Sequence, residues 1–146
     1  VAGDLRVVSS ALKVVTDLER IGDHASDIAE LILRIRGEHI YHVVRHIPGM
    51  AMAAREMVRS AIDAFISQDI TAAKTIEKQD DIVDELFTKV KNDVIDLLKQ
   101  SAEHADQCID LLMIAKYLER IGDHAVNVCE WTEFAKTGAL KNVRIL

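Results

Sequence analysis

LERIGDHA, at residues 18–25, recurs without a change at residues 118–125 of this 146-residue chain. We call these the first copy and the second copy. Packing alone requires apolar residues at helical spacing, and it does not require the same Glu, Arg, Asp and His twice. Eight consecutive identities therefore indicate two copies of one structural unit. Something other than the core fixes the charged positions.

Working outward from the two copies, apolar residues recur at helical spacing through most of the chain. The pattern predicts helices over residues 4–36, 49–67, 70 or 71–98, and 104–136. Pro48 suits a helix start, and Gly138 suits a helix end. With one Pro and six Gly in the chain, the frequent turns of an all-β fold are missing. The predicted fold is all-α, an antiparallel helical bundle with short connections.

The offset of 100 residues between the copies predicts the domain organisation. Two helices lie between the copies, whereas only 17 residues precede the first copy. If the repeats are equivalent three-helix units, residues 1–36 are the last helix of an incomplete first unit. Residues 37–47 are then a linker, 48–138 a complete second unit, and 139–146 a tail. We therefore expect the chain to be a fragment of a longer protein, an expectation that its first residue, Val1, also favours.

Charge and hydropathy exclude several classes of protein. The chain carries 18 basic and 24 acidic residues, for a net charge of −6, whereas a nucleic-acid binder needs a basic face. The longest stretch without Asp, Glu, Lys or Arg is nine residues, 46–54, and a membrane span needs about 20 apolar residues. Two cysteines 21 residues apart, without a CxxC motif, fit a reduced cytoplasmic protein in which both are buried.

The acidic residues of the repeat point to a bound cation. On a helical wheel, Glu119 and Asp123 lie one turn apart beside the apolar arc, as Glu19 and Asp23 do in the first copy. Like charges at this spacing repel. The third predicted helix offers a matching pair, Asp80 inside its apolar arc and Asp84 at the edge of that arc. In an antiparallel bundle, Asp80, Asp84, Glu119 and Asp123 can converge, and Mg²⁺, Mn²⁺, iron and zinc accept such oxygen donors.

Two other interpretations stay open at this point. The acids could form a solvated face with Lys or Arg partners, or they could line the site of a metal-dependent enzyme. Enzyme motifs give no positive support, because HExxH, GxxxxGK[ST], GxGxxG and a Glu-x-x-His spacing are all absent. His39, His42 and His46 have ligand-like spacing, but they fall in the predicted linker without convergent acids. Three methionines have core-like positions: Met50, Met52 and Met57.

The paired LERIGDHA motifs resemble the signature of the PhoU family of phosphate-uptake regulators. The resemblance extends to about residue 136 through further matches: AGDLR at residues 2–6, Asp80-x-x-x-Asp84, Asp27-x-x-Glu30 and Asn127-x-x-Glu130. It implies two tandem three-helix bundles, each with E(D)xxxD motifs on two helices that bind a multinuclear cluster of iron or zinc. The implied ligands are Asp80, Asp84, Glu119 and Asp123 in the second unit, with Glu19 and Asp23 as half of the first set.

The resemblance also implies a function and its partners. It implies a cytoplasmic protein, often a homodimer, that restrains phosphate import and is not an enzyme. Its partners would be the ATPase of the phosphate ABC transporter and a phosphate-sensing histidine kinase, so that it meets the membrane only through them. The helix that should supply the other half of the first ligand set is missing from the sequence. We therefore expect the first site to be incomplete, or completed by another molecule.

Overall fold

The computed structural model describes residues 1–35 and 44–140, and within them it is a bundle of four helices without strands. The helices are α1 (Ala2–Arg34), α2 (Ile47–Ser67), α3 (Ile70–Gln100) and α4 (Ala105–Thr137). The predicted all-α fold is confirmed.

Local sequence signals explain where these helices begin and end. Pro48 lies in the first turn of α2, and Gly138 follows α4 with a φ of 73°. Between α2 and α3 the chain turns at Gln68, in the left-handed region, and at Asp69, whose carboxylate accepts a hydrogen bond from Ala72 N at 2.9 Å. That capping bond satisfies one of the otherwise unpaired donors of the first turn of α3.

The predicted bounds differ from these by up to two residues. α1 begins and ends two residues early, since Ile35 is already extended, and α2 begins two residues early. α3 continues to Gln100, so the predicted break at 99–103 falls at residues 101–104. Most of the predicted linker 37–47, with His39 and His42, lies outside the described residues, as does the tail beyond residue 140.

α4 is the central helix of the bundle. It packs against α1, α2 and α3, whereas α1 packs against α4 alone among the described helices. Residues 124–129 of α4 are all buried, as expected of a helix surrounded on every side. Cys108 and Cys129 are buried free thiols, as predicted. Met50 and Met57 are buried too, but Met52 is 74% exposed, so its predicted core position is wrong.

Candidate metal centre

Three of the predicted ligands come together where α3 faces α4. Asp80 and Asp84 lie one turn apart on α3, and Asp123 projects from α4, with one carboxylate oxygen of each within 4.8 Å of the others. We call these residues the aspartate cluster. Asp80 is only 2% exposed, and Asp84 is exposed. This difference in exposure matches the helical wheel, which placed Asp80 inside the apolar arc of α3 and Asp84 at the edge of that arc.

Gly122 lets the two helices approach at the aspartate cluster. A Cβ atom on this residue would lie 3.2 Å from Asp80 Oδ1, 3.6 Å from Val83 Cγ1 and 3.7 Å from Met57 Sδ. The first of these distances is tighter than an ordinary van der Waals contact. The glycine of the second copy therefore permits a close approach that a Cβ would crowd, and the Asp80 carboxylate lies against the backbone of α4.

Glu119, the fourth predicted ligand of this site, lies apart from the aspartate cluster. Its Oε1 is 2.7 Å from the Nζ of Lys116, which precedes it by one turn on α4. The same Nζ lies 5.3 Å from the centre of the Phe87 ring on α3. The Glu119 side chain is 16% exposed, so the ion pair lies at the edge of the α3–α4 interface.

The first copy has no comparable surroundings. Glu19 and Asp23 are both exposed, and a Cβ on Gly22 would meet nothing within 4 Å. Among the described residues, no group of three or more His, Cys, Asp or Glu side chains converges around them. The structure thus brings together three of the ligands predicted for the second unit, and it leaves the two predicted for the first unit on an open surface.

A polar contact that the sequence did not predict joins α1 to α4. Asp17 is buried, with its Oδ1 2.9 Å from His124 Nδ1 and 3.1 Å from Asn127 Nδ2, which donates to it. A carboxylate only accepts, so the proton of this bond lies on His124 Nδ1. Position 17 precedes the repeated octapeptide, and only its apolar-face register on α1 could have indicated its burial.

Where α1 crosses α4, a local two-fold axis relates the contacts of the first copy to those of the second copy. Position 17 contacts position 124, and position 117 contacts position 24, where the Tyr117 and His24 rings stack at 5.5 Å. Residue 17 is equivalent to residue 117, and residue 24 is equivalent to residue 124. Each contact is therefore the counterpart of the other with the two copies exchanged. The helices are therefore antiparallel, with the two histidine rings 5.6 Å apart near the crossing. Burial first, and then the charges of His124 and Arg120, lower the pKa of His24.

A second group of acidic residues surrounds Cys129 on the side of α4 that faces α3. Burial raises the pKa of the Cys129 thiol to about 12, and the negative charges of Glu77, Glu133 and Glu130 add to the effect. Glu130 was noted from its NxxE-like spacing, but Glu77 and Glu133 were not predicted. The site around Cys129 holds no convergent group of three such oxygens among the described residues.

The aspartate cluster fits a hard divalent cation. Three carboxylates offer oxygen ligands alone, a donor set suited to Mg²⁺, Mn²⁺ or iron and accepted by zinc. The like charges of the carboxylates repel one another, and a bound cation would relieve that repulsion. The close approach of Gly122 places the Asp80 carboxylate against α4. His46, in contrast, lies 3.9 Å from Asp93 and joins no such group among the described residues.

The described residues thus form an all-helical bundle in which two identical motifs cross, one on α1 and one on the central helix α4. Residues 1–32 and 47–132 match the PhoU domain family, described as "PhoU domain". The chain belongs to this family.

Curated relatives carry names from phosphate transport. The chain is 39% identical over 138 residues to the "phosphate-specific transport system accessory protein PhoU homolog" of Clostridium acetobutylicum, covering 94% of this chain and 63% of the relative. It is 33% identical over 150 residues to the Borreliella burgdorferi homologue, covering 98% and 66%. The chain thus spans less than two thirds of the length of these relatives.

Two crystal structures share the fold. The phosphate transport system regulatory protein PhoU of Streptococcus pneumoniae superposes with a TM-score of 0.87 at 27% identity, covering 96% of this chain and 66% of that one. PhoU of Pseudomonas aeruginosa superposes with a TM-score of 0.84 at 31% identity, covering 95% and 67%. Within the residues described here, no helix is both long enough and apolar enough to cross a membrane.

Proposed function

We propose that this chain is an accessory regulator of phosphate transport that acts by protein–protein contacts and not by catalysis. Membership of the PhoU domain family supports this proposal, together with relatives whose names describe accessory and regulatory proteins. It restrains the phosphate ABC transporter and phosphate-starvation signalling from the cytoplasm. Its partners are the transporter's ATPase and a phosphate-sensing histidine kinase, and it works as a homodimer.

A gene deletion tests this regulation. We expect a strain that lacks the full-length gene to express phosphate-starvation genes, and to take up phosphate, even in phosphate-rich medium. Reintroducing the gene should restore repression. Normal repression in the deletion strain would contradict the proposed function. Copurification of the ATPase and the kinase with tagged full-length protein, compared with an unrelated tagged bundle, tests the partners.

The proposal includes a metal centre at the aspartate cluster. Asp80, Asp84 and Asp123 would hold it, with Glu119 as a further donor, and iron or zinc is the preferred metal. A bound cation would neutralise the clustered carboxylates and stabilise the α3–α4 surface. Three convergent aspartate oxygens within 4.8 Å carry this part of the proposal.

Elemental analysis of protein purified without a chelator tests the metal centre. We expect Asp84→Asn and Asp123→Asn to lose metal, since each removes one charged donor without a change of size. Asp81→Asn is the matched control, because Asp81 is exposed on α3 and lies outside the cluster. Equal metal content in all three variants would contradict the site.

The first copy, in this proposal, is half of a second metal site. Glu19 and Asp23 would share a cation with carboxylates from another pair of helices that covers the open face of α1. In the 146-residue chain alone, Asp23→Asn should leave the metal content unchanged. If Asp23→Asn lost as much metal as Asp123→Asn does, the proposal that the first copy holds only half of a site would be contradicted.

A further inference from the structure

We propose that Lys116 is a built-in competitor for the metal at the aspartate cluster, holding Glu119 as its counter-ion until a divalent cation takes that carboxylate. The inference rests on the proposed function, and it concerns how the same site is regulated.

The position of Glu119 along the helices carries the first step. Lys116 of α4 is level with Phe87 of α3, and Gly122 is level with Asp80 and Val83. Since the helices are antiparallel, residue 119 is level with Asp84. Glu119 is also one turn from Asp123 on α4, so that its side chain starts beside two members of the aspartate cluster.

The contacts of Lys116 carry the second step. Its ammonium has contacts on two sides, with Glu119 Oε1 at 2.7 Å and with the Phe87 ring, whose centre is 5.3 Å away. A cation over an aromatic face is held electrostatically, and here the same charge also pairs with a carboxylate. Lys116 therefore places a positive charge beside the acidic site and occupies the oxygen that a metal would use.

Competition follows from these two steps. A metal that recruits Glu119 must break the Lys116–Glu119 pair, so the pair lowers the affinity of the site for a divalent cation. When the cation binds, Glu119 moves to it, and the Lys116 ammonium stays over Phe87 with a free positive charge. Occupancy of the metal site is in this way converted into a change of surface charge on α4.

Calorimetric titration of the chelator-treated chain with Mn²⁺ or Zn²⁺ tests the inference. We expect Lys116→Gln to bind about two- to fivefold more tightly than the wild type, a range typical of partly exposed ion pairs. Lys116→Arg should bind as the wild type does. Lys89→Gln is the matched control, because Lys89 pairs at 2.9 Å with Glu85, which is not a candidate ligand.

A second background separates the ion pair from a general effect of charge. In Glu119→Gln protein the carboxylate is gone, so adding Lys116→Gln should raise the affinity by less than it does in the wild type. Equal affinities of wild type and Lys116→Gln, or equal gains from Lys116→Gln and Lys89→Gln, would overturn the role of Lys116 while leaving the metal site intact. Absence of binding by every variant, with both Mn²⁺ and Zn²⁺, would overturn the metal site and the inference together.

Discussion

The first and second copies have the same eight residues and opposite surroundings. Ala125 of the second copy is fully buried and Gly122 is pressed against Asp80, whereas Ala25 and Gly22 of the first copy are exposed. The difference arises because, among the helices that the structure describes, three pack against α4 and one packs against α1. The chemistry of the motif is therefore set by the helices that cover it, and the comparison can be tested position by position.

Thiol reactivity should give the largest difference between the two helices. Position 29 of α1 is an exposed alanine, and its equivalent on α4 is the buried Cys129. With the pKa of Cys129 raised to about 12, its thiolate fraction at pH 8 is roughly a thousandfold below that of an exposed cysteine. In Ala29→Cys protein, the new thiol should therefore react with iodoacetamide at least about a thousandfold faster than Cys129.

Mass spectrometry of digested samples over time measures both rates in one molecule. Unfolding in urea is the control, since it should make the two rates similar. Comparable rates for the two thiols in the folded protein would mean that Cys129 is accessible to the reagent, so that α4 is not buried as the structure shows.

Substitution of the two glycines should give the next largest effect. Gly122→Val forces a branched side chain against Asp80, Val83 and Met57, and should destabilise the fold by about 2–3 kcal/mol, in the upper part of the range for overpacked cores. Gly22→Val places the same side chain in open space, and should change stability by no more than about 0.5 kcal/mol. Urea unfolding measures both variants.

The outcome for Gly22→Val is also a test of the exposed first copy. A loss of stability close to that of Gly122→Val would mean that another helix already covers α1 in solution, for example through a dimer. The concentration dependence of that loss would distinguish a dimer from packing within one chain.

The interface between the copies depends on one buried carboxylate. Asp17→Ala leaves His124 and Asn127 buried without their shared acceptor, which should destabilise the fold by about 1–2 kcal/mol. Asp27→Ala is the matched control on the same helix, because Asp27 lies 3.9 Å from His24 and is half-exposed. The control should change stability by less than about 0.5 kcal/mol. Similar losses in the two variants would show that Asp17 has no special role.

The smallest expected effect is a pH dependence from His24. Its pKa is lowered below 6.5 in the folded protein, so below about pH 6.5 the unfolded chain takes up the proton first. The contribution of His24 is complete above that pH and is lost as the pH falls toward its folded-state pKa. Between pH 7.5 and 5.5, the wild type should lose more stability than His24→Gln does. An equal or smaller loss in the wild type would contradict the lowered pKa.

The fold was largely predictable, because helix-forming signals are local. Apolar periodicity located all four described helices, with ends correct to within about two residues, and Pro48 and Gly138 marked the start of α2 and the end of α4. Met52 was misplaced for the opposite reason. It has the same residue type and neighbourhood as Met50, but it lies on a face of α2 that none of the other described helices covers.

The sequence predicted which residues belong to the candidate site better than it predicted how those residues are arranged. Spacing along one helix predicts which carboxylates share a face, and this identified Asp80, Asp84 and Asp123. It could not show that Glu119 pairs with Lys116, because two partners were available to the same side chain. Asp17 was missed since its bonding partners lie more than 100 residues away.

The sequence by itself determined the helices, because helical periodicity depends on residues a few positions apart, and it determined the existence of two equivalent motifs, because the octapeptide is repeated in full. Only the tertiary structure decided which copy is buried, that Gly122 packs closely against Asp80, and which carboxylates converge. These properties depend on the helices that pack around each motif, and eight identical residues in two different environments have no way to encode that difference.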